Sequence, residues 1–138
     1  MKTTITLLSI VLGLTACVQP PKPLRGEFSA VSPRQVQNAE RLNQKIRWTG
    51  FVLEVENLEK KSCLTVVGKI PDAVAKPSRY YRADQGRFIA CKEGFLEPEF
   101  FNEKPITVTG VVREVIEKKV GEHPYRYPVV DASVVYVW

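Results

Sequence analysis

The sequence predicts a mainly β protein, a small barrel of about five strands behind one short helix. Three observations carry this. Strand-like apolar runs recur from residue 46 to residue 138, separated by turns rich in Gly, Pro and charge. Two of these runs, 46–55 and 106–112, enclose a glycine, Gly50 and Gly110. A glycine inside a strand pattern marks a bulge or sharp bend, which lets one long strand serve two parts of a barrel. The last run places Val130, Ala132, Val134, Tyr136 and Trp138 on one face, the alternation of a half-buried closing strand.

Residues 1–16 stand apart from this pattern. Met1-Lys2 gives a positive start, residues 5–14 are almost uninterruptedly apolar, and Leu14-Thr15-Ala16-Cys17 closes the run. That is the layout of a secretory signal peptide, too short for a permanent membrane span. A branched apolar residue three before a cysteine, with a small residue directly before it, resembles the lipobox of bacterial lipoproteins. The resemblance implies cleavage between Ala16 and Cys17 and a mature protein beginning at Cys17. It also implies a diacylglycerol on the Cys17 thiol and an N-acyl chain on its new amino terminus. One acyl chain holds a protein marginally, at about 0.8 kcal/mol per buried methylene, and two or more hold it firmly. Val18 rather than Asp follows the cysteine, which by association favours the outer membrane, lipid-anchored on its periplasmic face.

Residues 17–32 read as an acylated tether, stiffened by Pro20, Pro21 and Pro23. Ser32-Pro33 is a helix start, a capping serine with proline at the first helical position. Val36, Ala39 and Leu42 recur at helical spacing, so the helix extends to about Gln44. In the first strand Ile46 and Trp48 share one face while Phe51, Leu53 and Val55 share the other, placing a phase change at Gly50. Strands follow at 62–67 and 86–92, with an irregular stretch at 70–85 between them. Phe95, Leu96, Phe100 and Phe101 then fall in a turn or short helix that plugs the core, before the strands at 106–112 and 129–138. Residues 33–138 thus form one domain, a Greek-key barrel of the OB type. The alternative is a small β-sandwich or lipocalin-like barrel.

The formal charge of +5 is modest, and the cations have acidic neighbours, as in Glu59-Lys60-Lys61 and Glu117-Lys118-Lys119. Solvated turns and strand edges explain them. Nucleic acid is not an expected partner, since no basic stripe with aromatic platforms is visible. With Cys17 lipidated, Cys63 and Cys91 remain as an even pair in an oxidising compartment. They form either a disulfide between neighbouring strands or two independent buried thiols.

Motifs for chemistry are scarce. His123 is the sole histidine, which leaves little material for metal sites or triads. Glu93, Glu97 and Glu99 cluster, but a solvated acidic turn accounts for them better than acid–base work. Gly121-Glu122-His123-Pro124 reads as a turn, and Arg126 is placed to stack on Tyr125 and Tyr127. No catalytic residue, metal site or cofactor is expected beyond the acyl chains on Cys17.

Several blocks together carry a family resemblance: Arg47-Trp48-Thr49-Gly50, Val55-Glu56-Asn57, Gly86-Arg87-Phe88-Ile89-Ala90, Gly94-Phe95-Leu96-Glu97-Pro98, Thr107-Val108-Thr109-Gly110 and Tyr125-Arg126-Tyr127-Pro128-Val129-Val130, ahead of a terminal Val137-Trp138. In this order, and behind a lipobox, they resemble the Slp family of outer-membrane lipoproteins. The resemblance implies a non-enzymatic structural or interaction role in envelope integrity under starvation or acid stress, with envelope proteins as partners. A small-molecule or glycan-binding envelope lipoprotein is the alternative. Thr49 stands where the family pattern has a second glycine, and the Cys63/Cys91 pair is not part of that pattern.

Overall fold

Gly50 is where the barrel turns. It lies in the middle of β1 (Lys45–Asn57), and a Cβ there would sit 2.0 Å from the Val67 carbonyl oxygen of β2 (Lys61–Lys69). Without a side chain, β1 coils tightly enough to use both of its edges. Residues 49–57 pair with β2 and residues 45–51 with β4 (Pro105–Val120). β3 (Arg87–Glu93) and β5 (His123–Val137) complete a closed barrel in the order β1-β2-β3-β5-β4. Every pairing is antiparallel except β3–β5, which is parallel and limited to residues 89–91 against 129–131. This is the five-stranded Greek-key barrel of OB type. The computed structural model describes Gly13, residues 17–79 and residues 84–138; the rest of the expected signal segment, Ala16 included, and residues 80–83 lie outside the described residues.

Three bulges reset which side chains face inward. β1 keeps one phase through Gly50, with Ile46, Trp48 and Val52 all buried, and slips at Leu53, an extra residue between the Val52–Val66 and Glu54–Thr65 pairs. The phase change expected at Gly50 therefore falls three residues later. Val55 returns to the core while Phe51 and Leu53 face outward. Arg113 is the extra residue in β4, which shifts the inward position from Val112 to Val115. Ser133 does the same in β5. Val130 and Ala132 face the core, then Val135 and Val137, so Val134, Tyr136 and Trp138 do not continue the expected face.

The ends of the barrel are closed by short helices. α1 (Pro33–Ala39) begins with a capping box, in which the Ser32 hydroxyl accepts from the Gln35 amide and the Gln35 side chain accepts from the Ser32 amide. Its Val36 enters the core. The helix stops at Glu40, which adopts a left-handed conformation at φ 45°, so the expected extension to Gln44 is absent and Leu42 is exposed. At the far end of β2 and β3, α2 (Pro98–Phe101) and the preceding turn insert Leu96 and Phe101. The turn is held by Ser62, whose buried hydroxyl donates to the Gly94 carbonyl at 2.8 Å and accepts from the Leu96 amide at 3.0 Å. Phe95 and Phe100, expected in this plug, point outward instead, 70% and 51% exposed.

Candidate functional site

The amino-terminal arm behaves differently from a free tether. Cys17, Val18 and Gln19 are exposed, and Cys17 carries a free thiol. From the Lys22–Leu24 turn onward the chain is fastened. Within the arm the Pro20 carbonyl accepts from Arg25 Nε at 2.7 Å, a 3-10 turn spans Lys22–Leu24, and Leu24 is fully buried with its carbonyl accepting from Arg47. Further along, Ser29 donates its amide to Lys45, and Trp48 donates its indole N–H to the Val31 carbonyl at 2.8 Å. Residues 20–31, read as tether, are therefore a strap bound to the barrel. The reason is apolar content hidden among prolines: Leu24 and Val31 each bury a branched side chain, worth about 1.5–3 kcal/mol apiece.

The 3-10 turn of the strap contacts β4 and β5, and residues 24–31 bond to Lys45, Arg47 and Trp48 of β1. The loop after β2 covers neighbouring outer positions on β1 and β4 through hydroxyls. Thr49 and Thr107 are buried and lie 2.9 Å apart through their Oγ1 atoms. Thr49 donates to the Ile106 carbonyl at 2.7 Å, Thr107 donates to the Ala75 carbonyl, and Trp138 donates its indole N–H to Thr107 at 2.9 Å. Each hydroxyl has a single proton. Two protons therefore serve three oxygen contacts, so Thr107 stays the hub only while every neighbour keeps its place. Ala75, at φ 66°, turns the loop inward to deliver its carbonyl.

The opposite outer face is covered by the β4–β5 hairpin, whose arms extend well past the strands expected from sequence. Residues 114–120 pair continuously with 123–129 across a two-residue turn, with positive φ at Gly121. Ile116, Val120, Tyr125 and Tyr127 pack against Ile89 and Cys91 of β3 and Cys63 of β2, forming a second apolar cluster outside the barrel. Cys63 and Cys91 stand directly opposite each other in the β2–β3 ladder, disulfide-bonded with sulfurs 2.07 Å apart. Tyr125 accepts the Arg87 amide at 2.9 Å through its hydroxyl, and its ring lies 4.8 Å from that of Tyr127. Lys118 reaches Glu56 of β1 at 3.7 Å. In OB barrels the β2–β3 face, between the loops after strands 1 and 4, is the surface that takes oligonucleotides or oligosaccharides. Here the protein's own hairpin lies on it.

The remaining sequence candidates are dispersed. Arg126 does not stack between the tyrosines. It points from the other side of β5 to α1, donating to the Gln37 carbonyl at 3.0 Å and pairing with Glu40. A cation at the exposed carbonyls of a helix C-terminus is favourably placed. Glu97 caps α2 by accepting from the Glu99 amide, and Glu93, Glu97 and Glu99 are all exposed. His123 is exposed at the hairpin tip. Among the described residues no cluster of three His, Cys, Asp or Glu is arranged to hold a metal ion. A cleft of about 270 Å³ lies between the strap and β1, lined by Phe28, Val31, Arg47, Trp48, Lys69 and Gln85. It falls just below the volume range of small-molecule sites, and the Trp48 indole and Arg47 guanidinium on its wall already bond to Val31 and Leu24.

A closed β-barrel strapped by the segment that follows an exposed Cys17 defines a class, that of a compact domain carried on a short arm. The particular family follows from the sequence: residues 14–138 match the model of the outer membrane lipoprotein Slp family, and the chain belongs to it. A relative from Haemophilus influenzae, described as an uncharacterized protein, is 33% identical over 141 residues, covering 99% of this chain and 76% of the relative. The outer membrane protein Slp of Escherichia coli is 28% identical over 138 residues, covering 96% of this chain and 72% of that one. Among solved structures, a small single-stranded DNA-binding protein from Streptomyces coelicolor aligns with a TM-score of 0.39 and 15% identity, covering 69% of this chain and 94% of its own. That likeness is too loose to bear on function.

Proposed function

We propose that the protein is acylated at Cys17, held on the periplasmic face of the outer membrane, and acts without catalysis, supporting envelope integrity under starvation or acid stress through contacts with envelope proteins. The observation that carries this reading is the position of Cys17. Its thiol is free and exposed, it follows the apolar run at the spacing of a lipobox, and no described residue ahead of Leu24 belongs to the core. Acylation and cleavage there would cost the fold nothing. Phe95 and Phe100, exposed on the segment at one end of the barrel, are the large apolar side chains there that a protein partner would cover. The Trp48 indole and an Arg47 N–H on the wall of the strap cleft are already bonded within the protein, which gives the small-molecule reading less support there.

Intact mass of the protein extracted from separated inner and outer membranes tests the anchor. The expected species starts at Cys17, carries three acyl chains and sits in the outer-membrane fraction. An unlipidated soluble mass would overturn the proposal. Cells lacking the protein should show increased outer-membrane permeability in acid or starvation, restored by the native chain but not by Cys17→Ser.

A further inference from the structure

The arm fixes which surface of the barrel meets the membrane. Between Cys17 and Leu24, the first residue of the arm buried against the barrel, seven residues span at most roughly 25 Å. An acyl anchor on Cys17 therefore keeps the strap side of the barrel nearest the membrane. The surface around the strap is the one brought to the headgroups. It is basic and partly aromatic: Lys22, Arg25 and Lys45 are exposed, Arg47 is half-buried, and the Lys45 and Arg47 cations sit 5.3 and 5.2 Å from the centre of the Phe28 ring. Glu27 lies in the same strap. The cations of the β4–β5 hairpin are different, since Lys118 and Lys119 stand among Glu114, Glu117 and Glu122. Charge and reach thus coincide at one place.

We propose that Lys22 and Arg25 of the strap, joined to β1 where Arg47 bonds the Leu24 carbonyl, form with Lys45 and Arg47 beside Phe28 a membrane-docking surface for anionic phospholipid headgroups, which holds the barrel in one orientation on the bilayer. The proposal rests on the reading of Cys17 as the lipid anchor, and it deepens that reading. Each Lys or Arg close to an anionic bilayer adds an attraction equivalent to about fivefold in partitioning, and the effect fades within a Debye length. The exposed end carrying Phe95 and Phe100 is left free, because Glu93, Glu97, Glu99 and Glu103 surround it in sequence, outnumber Lys104 beside the Phe100 ring, and would be repelled by the same headgroups.

The test uses the mature chain from residue 17 with Cys17→Ser, so that no acyl chain contributes; the core it needs begins only at Leu24. Sedimentation with vesicles of phosphatidylethanolamine and about one-third phosphatidylglycerol is compared with neutral phosphatidylcholine vesicles at about 0.1 M salt. Binding is expected to the anionic vesicles alone. The double variant Lys22→Glu/Lys45→Glu, both positions exposed, should weaken it about 25-fold or more. A control of equal charge, Lys60→Glu/Lys119→Glu, should retain most of it. No binding to anionic vesicles, equal binding to neutral ones, or equal loss in both variants would overturn the docking surface. None of these results depends on acylation, which the intact mass tests separately.

Discussion

Over the outer face of β1 and β4 the chain closes with hydroxyls, carbonyls and an indole N–H, whereas over β2 and β3 it closes with tyrosine rings, aliphatic side chains and a disulfide. Both covers bury the barrel's exterior, but they fail in different ways. The polar cover depends on directions: Thr107 must meet Ala75, Thr49 and Trp138 together, and each bond is worth only about 1 kcal/mol net. The hairpin cover depends on area and volume, which tolerate small displacements but not the loss of a ring. The first specifies a geometry, and the second supplies more of the stability.

The largest expected effect is on the hairpin side. Tyr127 is buried in the second cluster with its ring tilted against that of Tyr125, so Tyr127→Ala should cost about 4 kcal/mol in urea unfolding. A loss below about 1 kcal/mol would show that the hairpin rests on the barrel without sealing it. Reduction of Cys63–Cys91 comes next. Its sequence separation of 28 corresponds to about 3 kcal/mol of chain entropy, read as a lowered unfolding midpoint in the presence of dithiothreitol. The smallest effect belongs to the polar cover. Thr107→Val keeps the shape but strands the Trp138 N–H and the Ala75 carbonyl, for about 2 kcal/mol, together with a change in the near-ultraviolet signal of Trp138. If this substitution costs as much as Tyr127→Ala, the contrast between the two covers collapses.

The barrel was largely legible in the sequence because its strands alternate and its two bend glycines interrupt them. The hairpin arms were not. Val115 turns into the core and Ile116 into the outer cluster, so two adjacent residues are buried on opposite faces and the period of two disappears. Bulges at Leu53, Arg113 and Ser133 leave no compositional mark either, and they misassigned the inward faces of β1 and β5. The strap was hidden for a different reason. Its few buried apolar residues, Leu24 and Val31, follow no period among the prolines, and its acceptor for the Trp48 indole is the Val31 backbone carbonyl, which no side chain of the strap announces. Of the candidate site, Cys17 and the cysteine pair were visible as residues. The assignment of Arg126 failed because a strand sends neighbouring side chains to opposite faces, away from the tyrosines and toward α1.

The parallel seam between β3 and β5 has a kinetic meaning. β1, β2 and β3 form one run of sequential neighbours and β4 and β5 a single hairpin, so most pairing is local to one piece or the other. Among the strand ladders, β1–β4 and the three-residue β3–β5 pairing join the pieces. Loop-closure entropy is concentrated in that joining. The disulfide lies wholly within the first piece, so a chain emerging into an oxidising space can lock that piece before the hairpin arrives. With that piece locked, the ladders left to close the barrel are these two, and the three-residue seam is the shorter.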